Sequence, residues 1–203
     1  MFRVILEEKD GTAFLLCNSI IDCQEYYHSK DSRTINGATV YANNYAESNI
    51  RKWLNETFYE TAFTSLQQGL IQITELDNSA KSTNPYNSPT RWDGGTNQYV
   101  CENTSDKIFL LSEADATNSN YGFTSEQTDD TAKYRKPSDY AQSQGCYMST
   151  SSEYLGNGGW WLRSPRCNTS VQARNVNTLG ECDGTEFVTN AQLGVVPALK
   201  ITL

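Results

Sequence analysis

The chain has 203 residues, a length that fits one domain, and 58 of these residues are Ser, Thr or Asn. Sixteen Lys and Arg against 24 Asp and Glu give a net charge of −8, which argues against general binding to a nucleic-acid backbone. So polar a composition can mean disorder, but 37% hydrophobic and 11% aromatic residues predict one folded domain over residues 1–203 with many long polar loops.

The N-terminal residues predict a β-hairpin followed by a long loop. The apolar runs 2–7 and 13–17 flank the dipeptide Asp10-Gly11, which is typical of tight hairpin turns. Residues 18–45 are polar and rich in Tyr, and this composition predicts a loop.

The clearest helical pattern of the chain begins near residue 49. Four large apolar side chains recur at helical spacing and define one apolar face: Ile50, Trp53, Leu54 and Phe58. Either Ser48 or Asn49 can cap the start of this helix. Thr64 and Gln67 have the spacing of a capping box, which predicts a second short helix before the strand-like run 70–73.

The middle of the chain predicts long loops that interrupt a few short elements. Residues 77–106 show almost no apolar periodicity and predict a long loop. The run 107–111 (KIFLL) predicts a buried strand, and residues 112–115 have the Ser-x-x-acid spacing of a helix start. Residues 118–158 are again polar, with one helix predicted near 137–144.

The C-terminal residues are the richest in strand patterns. Four strands are predicted, at residues 160–163, 171–176, 186–188 and 195–203. The order of elements therefore predicts an α+β fold with short helices early in the chain and an antiparallel sheet that is completed late.

Catalytic motifs are scarce in this sequence. The single histidine, His28, lies in a Tyr-rich loop, where we expect it to face solvent or to pack. No nucleophile elbow, P-loop or dinucleotide-binding motif occurs, whereas a glycosidase-type carboxylate pair stays open because its members meet only in space. Asp129-Asp130 and the Asp93-Gly94-Gly95 turn offer oxygen ligands for calcium without EF-hand spacing, so we favour solvated turns.

Six cysteines occur at irregular spacing without a Cys-x-x-Cys pair, which disfavours a zinc ribbon or a thioredoxin-type site. We expect buried thiols with at most one or two disulfides. The closest pairs in sequence are Cys17 with Cys23 and Cys167 with Cys182, but sequence does not fix the connectivity. No cofactor and no metal site are predicted.

The compartment of the protein is not indicated by the sequence. The first residues lack the basic segment and apolar stretch of a signal peptide, and no run of 18 apolar residues suggests a membrane span. A phage particle, the cell surface and the cytoplasm all stay open.

Four sequence blocks carry a resemblance to a known family. In chain order they are 49–55 (NIRKWLN), 106–112 (DKIFLLS), 158–165 (GGWWLRSP) and 194–201 (GVVPALKI). Together they resemble an uncharacterised domain family of bacteria and phages, with Val196 at a position where that family usually has Arg. That family is similar to the formylglycine-generating-enzyme-like branch of the C-type lectin fold, which also supplies the variable proteins of diversity-generating retroelements.

This resemblance implies a C-type lectin-like α+β fold with a twisted antiparallel sheet, and a hypervariable C-terminal patch that binds diverse ligands. The candidate variable region is 166–193, between the last two blocks. Its candidate ligand contacts are Arg166, Asn168, Ser170, Gln172, Glu181, Asp183, Thr185, Glu186, Phe187, Thr189 and Gln192. Phe187 and then Arg166 are the expected anchors, because aromatic and Arg side chains dominate interfaces.

The residue types of this region are partly consistent with adenine-directed mutagenesis of Asn codons, the route by which the resemblance implies that such variable proteins diversify. Many residue types in the region are reachable from an Asn codon by changing its first two bases. Four candidates are not reachable in this way: Gln172, Glu181, Glu186 and Gln192.

The residues around the candidate contacts fit a rigid scaffold. Trp160, Trp161 and Leu162 supply large apolar area for a core, and Arg163 is expected to pair with a carboxylate or to cap carbonyl groups. The apolar residues in 195–201 alternate by two and predict one closing strand. Inside 166–193, four small apolar residues are expected to anchor the segment, and the others to be exposed: Val171, Ala173, Val176 and Val188.

These features favour a binding module without enzymatic activity, whose ligand is a protein or another cell-surface molecule. One alternative is a lectin-like domain with a fixed ligand, and another is an assembly domain of a virion or cell surface. A third is a formylglycine-generating oxidase, whose chemistry uses a cysteine pair that binds copper. Cys167 and Cys182 lie in the appropriate half of the chain but outside the catalytic sequence context of such enzymes. The ligand and the oligomeric state are not predicted.

Overall fold

The computed structural model describes residues 1–85, 99–125, 127–182 and 184–203. It combines short helices with sheets whose strand pairs are mostly antiparallel, as the α+β prediction required. The strands are β1 (Phe2–Glu7), β2 (Thr12–Cys17), β3 (Asp22–Cys23), β4 (Arg33–Ile35), β5 (Ala38–Val40), β6 (Ile71–Gln72), β7 (Thr74–Leu76), β8 (Thr104–Asp106), β9 (Trp160–Pro165), β10 (Gln172–Val176), β11 (Gly184–Phe187), β12 (Gly194–Val195) and β13 (Ala198–Thr202). The α-helices are α1 (Asn49–Trp53), α2 (Tyr59–Ala62), α3 (Ser65–Gln68), α4 (Ala80–Thr83), α5 (Glu113–Ala116) and α6 (Asp139–Ser143).

A four-stranded sheet in the order β1-β2-β13-β6 brings the first and last strands together. The predicted N-terminal hairpin is confirmed, because β1 and β2 pair antiparallel around a turn in which Gly11 has a φ of 83°. Glycine adopts this left-handed conformation without steric cost. β13 then pairs with the other side of β2, where Leu199 lies opposite Leu15.

A five-stranded sheet in the order β11-β10-β9-β12-β3 forms the second layer. Its central strand β9 carries the WWLRSP sequence and is buried along its whole length. β11 lies at one edge and β3 at the other, so the candidate region reaches the sheet edge through β11.

The predicted closing strand over 195–203 is wrong in one respect, because two strands occupy this range. β12 belongs to the five-stranded sheet and β13 to the four-stranded sheet. Pro197 lies between them and has no N–H to donate to a ladder, while its carbonyl accepts a hydrogen bond from the Cys17 N–H (3.0 Å). The chain therefore crosses between the sheets at the proline.

Three other segments depart from their predictions. Residues 107–111 are largely buried, as predicted, but make only an isolated bridge in which Phe109 pairs with Ala198. The predicted loop 18–45 contains the short strands β3, β4 and β5, and the predicted loop 77–106 contains α4 and β8. β3 and β8 pair with strands that are distant in sequence. β4 and β5 instead pair with each other around Asn36-Gly37, a hairpin turn signal that the loop prediction missed.

The predicted helix near residue 49 is confirmed together with its cap. The Ser48 hydroxyl accepts a hydrogen bond from the Arg51 N–H (3.2 Å), and the buried side includes Ile50 and Leu54. Between α1 and α2 the backbone forms a π-helical segment, Leu54–Phe58, that the apolar periodicity did not predict.

The remaining predicted helix starts are also confirmed. Capping boxes open α3 at Thr64 and α5 at Ser112. α6 lies inside the predicted range 137–144 and is capped by Ser138. Two 3₁₀ turns were not predicted, at Ser119–Tyr121 and Thr131–Lys133. No helix in the described ranges is long and apolar enough to cross a membrane.

One buried apolar cluster joins the two larger sheets. Trp160, Trp161 and Leu162 are fully buried in it, which confirms their predicted place in the core. Each indole has a hydrogen-bond partner: Trp160 donates to the Lys133 carbonyl (3.2 Å) and Trp161 to the Gln24 carbonyl (2.9 Å). Both indole N–H groups are therefore satisfied inside the core.

Candidate functional site

Arg163 fixes the scaffold from which the candidate region extends. Its guanidinium is buried and donates from Nη1 to Asp115 Oδ2 (2.6 Å) and to the Leu110 carbonyl (2.9 Å). Its Nε donates to Asn78 Oδ1 (3.2 Å). The predicted pairing with a carboxylate and with carbonyl groups is thus confirmed, and one side chain ties β9 to three other segments.

Asn55, in the π-helical segment, joins the first two sequence blocks. Its Oδ1 accepts hydrogen bonds from the N–H groups of Lys107 (2.8 Å) and Ile108 (3.2 Å), and its Nδ2 donates to the Ile108 carbonyl (2.8 Å). Beside it, Arg51 forms an ion pair with the buried Asp106 (2.7 Å). The first two blocks are therefore held together by hydrogen bonds between the Asn55 side chain and the backbone, and by the ion pair between Arg51 and Asp106.

β10 contributes two polar side chains to the interior, although the sequence predicted them to be exposed. Arg174 is fully buried and Asn175 nearly so. The Nε of Arg174 lies 3.7 Å from Oε2 of the equally buried Glu113, which also accepts a hydrogen bond from Gln127. A buried guanidinium requires such a carboxylate, and this one comes from a distant segment of the chain. β10 is therefore part of the scaffold.

The register of β10 and β11 divides the predicted contacts between two faces. Phe187 lies opposite Gln172, and Glu186 lies opposite Ala173. Opposed residues of an antiparallel pair share a face, whereas successive residues alternate. Thr185, Phe187 and Gln172 therefore lie on one face, and Glu186 lies on the other.

Phe187 is the most exposed residue of β11, with 45% of its surface accessible. The ammonium group of Lys30 lies 3.6 Å from the centre of its ring, which is cation–π geometry. Lys30 was not predicted as a site residue, because it comes from the N-terminal part of the chain. The contact presents an aromatic ring and a positive charge side by side at the sheet edge.

On the other face, two predicted contacts line a small cavity of about 270 Å³. Glu186 and Gln192 form it together with Tyr147, Asn190 and Leu193. Asn190 Nδ2 donates to Glu186 Oε2 (3.3 Å), and the Tyr147 N–H donates to the Gln192 carbonyl (3.0 Å). Tyr147 is 58% exposed and was missed by the sequence prediction, since it belongs to the segment after α6.

Two predicted contacts close the turn between β9 and β10. Arg166 donates from its side chain to Gln172 Oε1 and from its N–H to the Gln172 carbonyl (3.0 Å). The buried Asn43 holds the same turn, donating from Nδ2 to the carbonyls of Thr169 (2.8 Å) and Gln172 (3.0 Å) and from its N–H to the Ser170 carbonyl (3.0 Å). Arg166, Ser170 and Gln172 therefore sit on a braced turn.

The remaining predicted contacts are Glu181, Asn168, which lies within the same turn, Thr189 and Asp183. Glu181 accepts from Asn177 Nδ2 (2.6 Å) in the turn between β10 and β11. Asn168 is exposed and Thr189 is half-buried. Asp183 lies outside the described residues, as does the Asp93 turn considered for calcium.

Most of the chain matches the model of one known protein family. A family model described as a domain of unknown function (DUF6273) matches residues 10–203. The chain belongs to the DUF6273 family. Comparison with curated proteins and with solved structures finds no significant match. The DUF6273 match spans all four sequence blocks and the candidate region 166–193.

The cysteines suggested for copper chemistry are buried in the DUF6273 domain. Cys167 is 4% exposed, and Cys182 is fully buried with its thiol donating to the Ala116 carbonyl (3.6 Å). Burial raises the pKa of the Cys182 thiol to about 12, which disfavours the thiolate that a metal requires. Over the described ranges, no group of three or more His, Cys, Asp or Glu side chains is placed to hold a metal ion.

The other polar candidates also have local partners. His28 is exposed, as predicted, and its Nδ1 lies 2.8 Å from Asn49 Oδ1. Asp130 caps the 3₁₀ turn that follows it and lies 3.5 Å from the buried Lys133 ammonium. A larger cavity of about 470 Å³ lies beside α1, next to Arg51, and contains none of the predicted contacts.

Proposed function

We propose that this DUF6273 domain is a ligand-binding display domain, in which a rigid scaffold presents the region 166–193 to a protein or another surface ligand. The observation that carries the proposal is the exposed ring of Phe187 at the sheet edge, beside Lys30. On the neighbouring strand β10, the side chain of Arg174 pairs with Glu113, and both side chains are fully buried. Such a division between fixed interior and accessible edge is what a binding surface needs.

The chemistry of the accessible side chains supports contact with another molecule. Phe187 and Tyr147 offer rigid aromatic area, which costs little conformational entropy on binding. Glu186 and Gln192 offer hydrogen-bonding groups around the cavity between them. An interface of this kind combines aromatic anchors with a polar rim.

We further propose that the domain has the C-type lectin-like fold and is the variable protein of a diversity-generating retroelement. The four sequence blocks support this proposal, as do the mostly antiparallel sheets and short helices. All ten candidate contacts that the structure describes are at least partly accessible, so their replacement does not require the core to change.

The diversification part of the proposal is tested at the gene. We expect a reverse-transcriptase gene and a near-copy of the segment that encodes 160–203 beside the coding sequence. Mismatches between the copies should be confined to adenines of the template and should fall in the codons of 166–193. A locus with neither element refutes diversification and leaves a domain with a fixed ligand.

The binding part is tested by probing printed protein and glycan arrays with the purified, labelled domain. We expect specific signals that are lost with Phe187→Ala. Leu66→Ala is the matched control, because Leu66 is an apolar side chain that is 80% exposed on α3, away from the candidate region. Signals that disappear equally in both variants, or that persist in Phe187→Ala, place the binding surface elsewhere.

A further inference from the structure

Two cysteines that are more than half the chain apart lie side by side next to the candidate site. Cys23 ends the edge strand β3, and Cys146 follows the C-terminus of α6. Both residues are 7% exposed, and both lie at the Ala141 carbonyl of α6.

The end of α6 brings the two residues together. Cys23 Sγ donates to the Gln144 carbonyl (3.4 Å) and lies 4.0 Å from the Ala141 carbonyl. The Cys146 N–H donates to the same Ala141 carbonyl (3.1 Å). Gly145 has a φ of 92°, a conformation that favours glycine, and this turn directs the chain back onto the helix end. These hydrogen bonds thus place the Cys23 thiol and the Cys146 backbone at the same helix end.

We propose that Cys23 and Cys146 are a disulfide-forming pair, which fastens the end of α6 to the edge of the five-stranded sheet. With oxidised glutathione as the oxidant, one thiolate attacks its disulfide and releases a first glutathione thiolate. The second cysteine then attacks the mixed disulfide and releases the second. The protein loses two electrons and two protons, and two molecules of reduced glutathione form. The proposal does not depend on the function of the candidate region.

The pairs that are closest in sequence are not those that the structure favours. The Cys17 thiol donates to the Met1 carbonyl (3.8 Å), and the Cys182 thiol to the Ala116 carbonyl (3.6 Å). The spacing of the cysteines along the chain therefore did not indicate Cys23 and Cys146, the pair that the fold brings together.

A cross-link at this position would act on one wall of the cavity beside Glu186. Cys146 directly precedes Tyr147, whose N–H is bonded to the Gln192 carbonyl. The disulfide would hold this segment to β3, so the Tyr147 side of the cavity would become more rigid on oxidation.

Burial slows the reaction without preventing it. It raises the pKa of both thiols, that of Cys146 to about 12, and the neighbouring Asp22 carboxylate acts in the same direction. Since the thiolate is the attacking species, exchange at neutral pH requires local opening of the α6 terminus. An equilibrium measurement is therefore more informative than a rate.

The test equilibrates the reduced full-length protein in a series of reduced and oxidised glutathione mixtures at pH 8, followed by rapid alkylation. Peptide mapping without reduction should find one cross-linked peptide pair that contains Cys23 and Cys146 and lacks two hydrogens, with the other cysteines alkylated. The oxidised form should melt about 5–15 °C higher than the reduced form, because the cross-link closes a very long loop.

Cys146→Ser should abolish the oxidation-dependent shift in melting temperature, whereas Cys101→Ser should keep it, because Cys101 lines a different part of the surface, beside Val40 and Ala46. If Cys146→Ser does not fold, the peptide map of the wild-type protein decides alone. Free Cys23 and Cys146 thiols in the folded protein at the most oxidising mixture, or a cross-link between any other two cysteines, would overturn the proposal.

Discussion

Replacing Arg163 by methionine removes the guanidinium that connects β9 to three other segments while keeping a long side chain. The substitution deprives Asp115 of an ion-pair partner at 2.6 Å, and it removes donors from the Leu110 carbonyl (2.9 Å) and from Asn78 Oδ1 (3.2 Å). Of the side-chain contacts described above for the WWLRSP block, Arg163 makes three, whereas Trp160 and Trp161 make one each.

The expected loss follows from these contacts. Removing one partner of a buried ion pair costs about 3–5 kcal/mol, but Asp115 is 21% exposed and recovers part of its hydration, which places its share at the lower end. Each acceptor left without a donor adds about 1 kcal/mol. We therefore expect the free energy of unfolding to fall by about 5 kcal/mol, which corresponds to a melting temperature about 10–20 °C lower.

The assay is urea denaturation followed by circular dichroism and Trp fluorescence, with thermal melting as a second readout. Arg163→Lys should lose about half as much stability, because it keeps a charge near Asp115 without the planar fork. Lys52→Met, on the exposed side of α1, is the matched control and should change stability by less than about 0.5 kcal/mol. A loss below about 1 kcal/mol for Arg163→Met would refute the scaffold role of the guanidinium.

Three further predictions concern the site, the scaffold and pH. The double variant Phe187→Ala, Arg166→Ala should lose the ligand found by array probing, measured by titration, while its melting temperature stays almost unchanged; strong destabilisation would contradict the assignment of these residues to the binding surface. Asn55→Ala should lower the free energy of unfolding in urea by about 2–3 kcal/mol, because two backbone donors and one backbone acceptor lose their partner, and a neutral effect would show that water replaces it. Burial opposes ionisation of Asp130, but backbone N–H donors and the Lys133 charge outweigh it and lower the pKa of that carboxyl. Asp130 therefore stabilises the fold above about pH 4, and this contribution is lost as the pH falls through the lowered pKa. In Asp130→Asn, the melting temperature should depend less steeply on pH in this acidic range. A slope equal to that of the wild-type protein would contradict a stabilising role of the Asp130 carboxylate.

Local sequence predicted the elements whose stabilising contacts are themselves local. The Asp-Gly turn specified the N-terminal hairpin, and the spacing of Thr64 and Gln67 specified a capping box whose partners are three residues apart. The helix after Ser48 was predicted for the same reason, since its apolar face and cap both lie within one short stretch.

What sequence could not supply is the identity of partners from distant segments. Arg174 was expected to be exposed, and it is buried only because Glu113 lies beneath it. Lys30 and Tyr147 were missed at the candidate site, because each reaches it from a loop far from 166–193. The division of 195–203 between two sheets likewise depends on which strands β12 and β13 meet.

The placement of the last two strands has a consequence for how the protein is made. β12 lies between β9 and β3, and β13 lies between β2 and β6, so neither sheet is complete until residues 194–202 have been synthesised. A premature stop or a shift of reading frame within 166–193 would remove both strands and leave two sheets with gaps. Cells would degrade such products. Completion of both sheets therefore depends on reading residues 166–193 in frame, since β12 and β13 follow that segment.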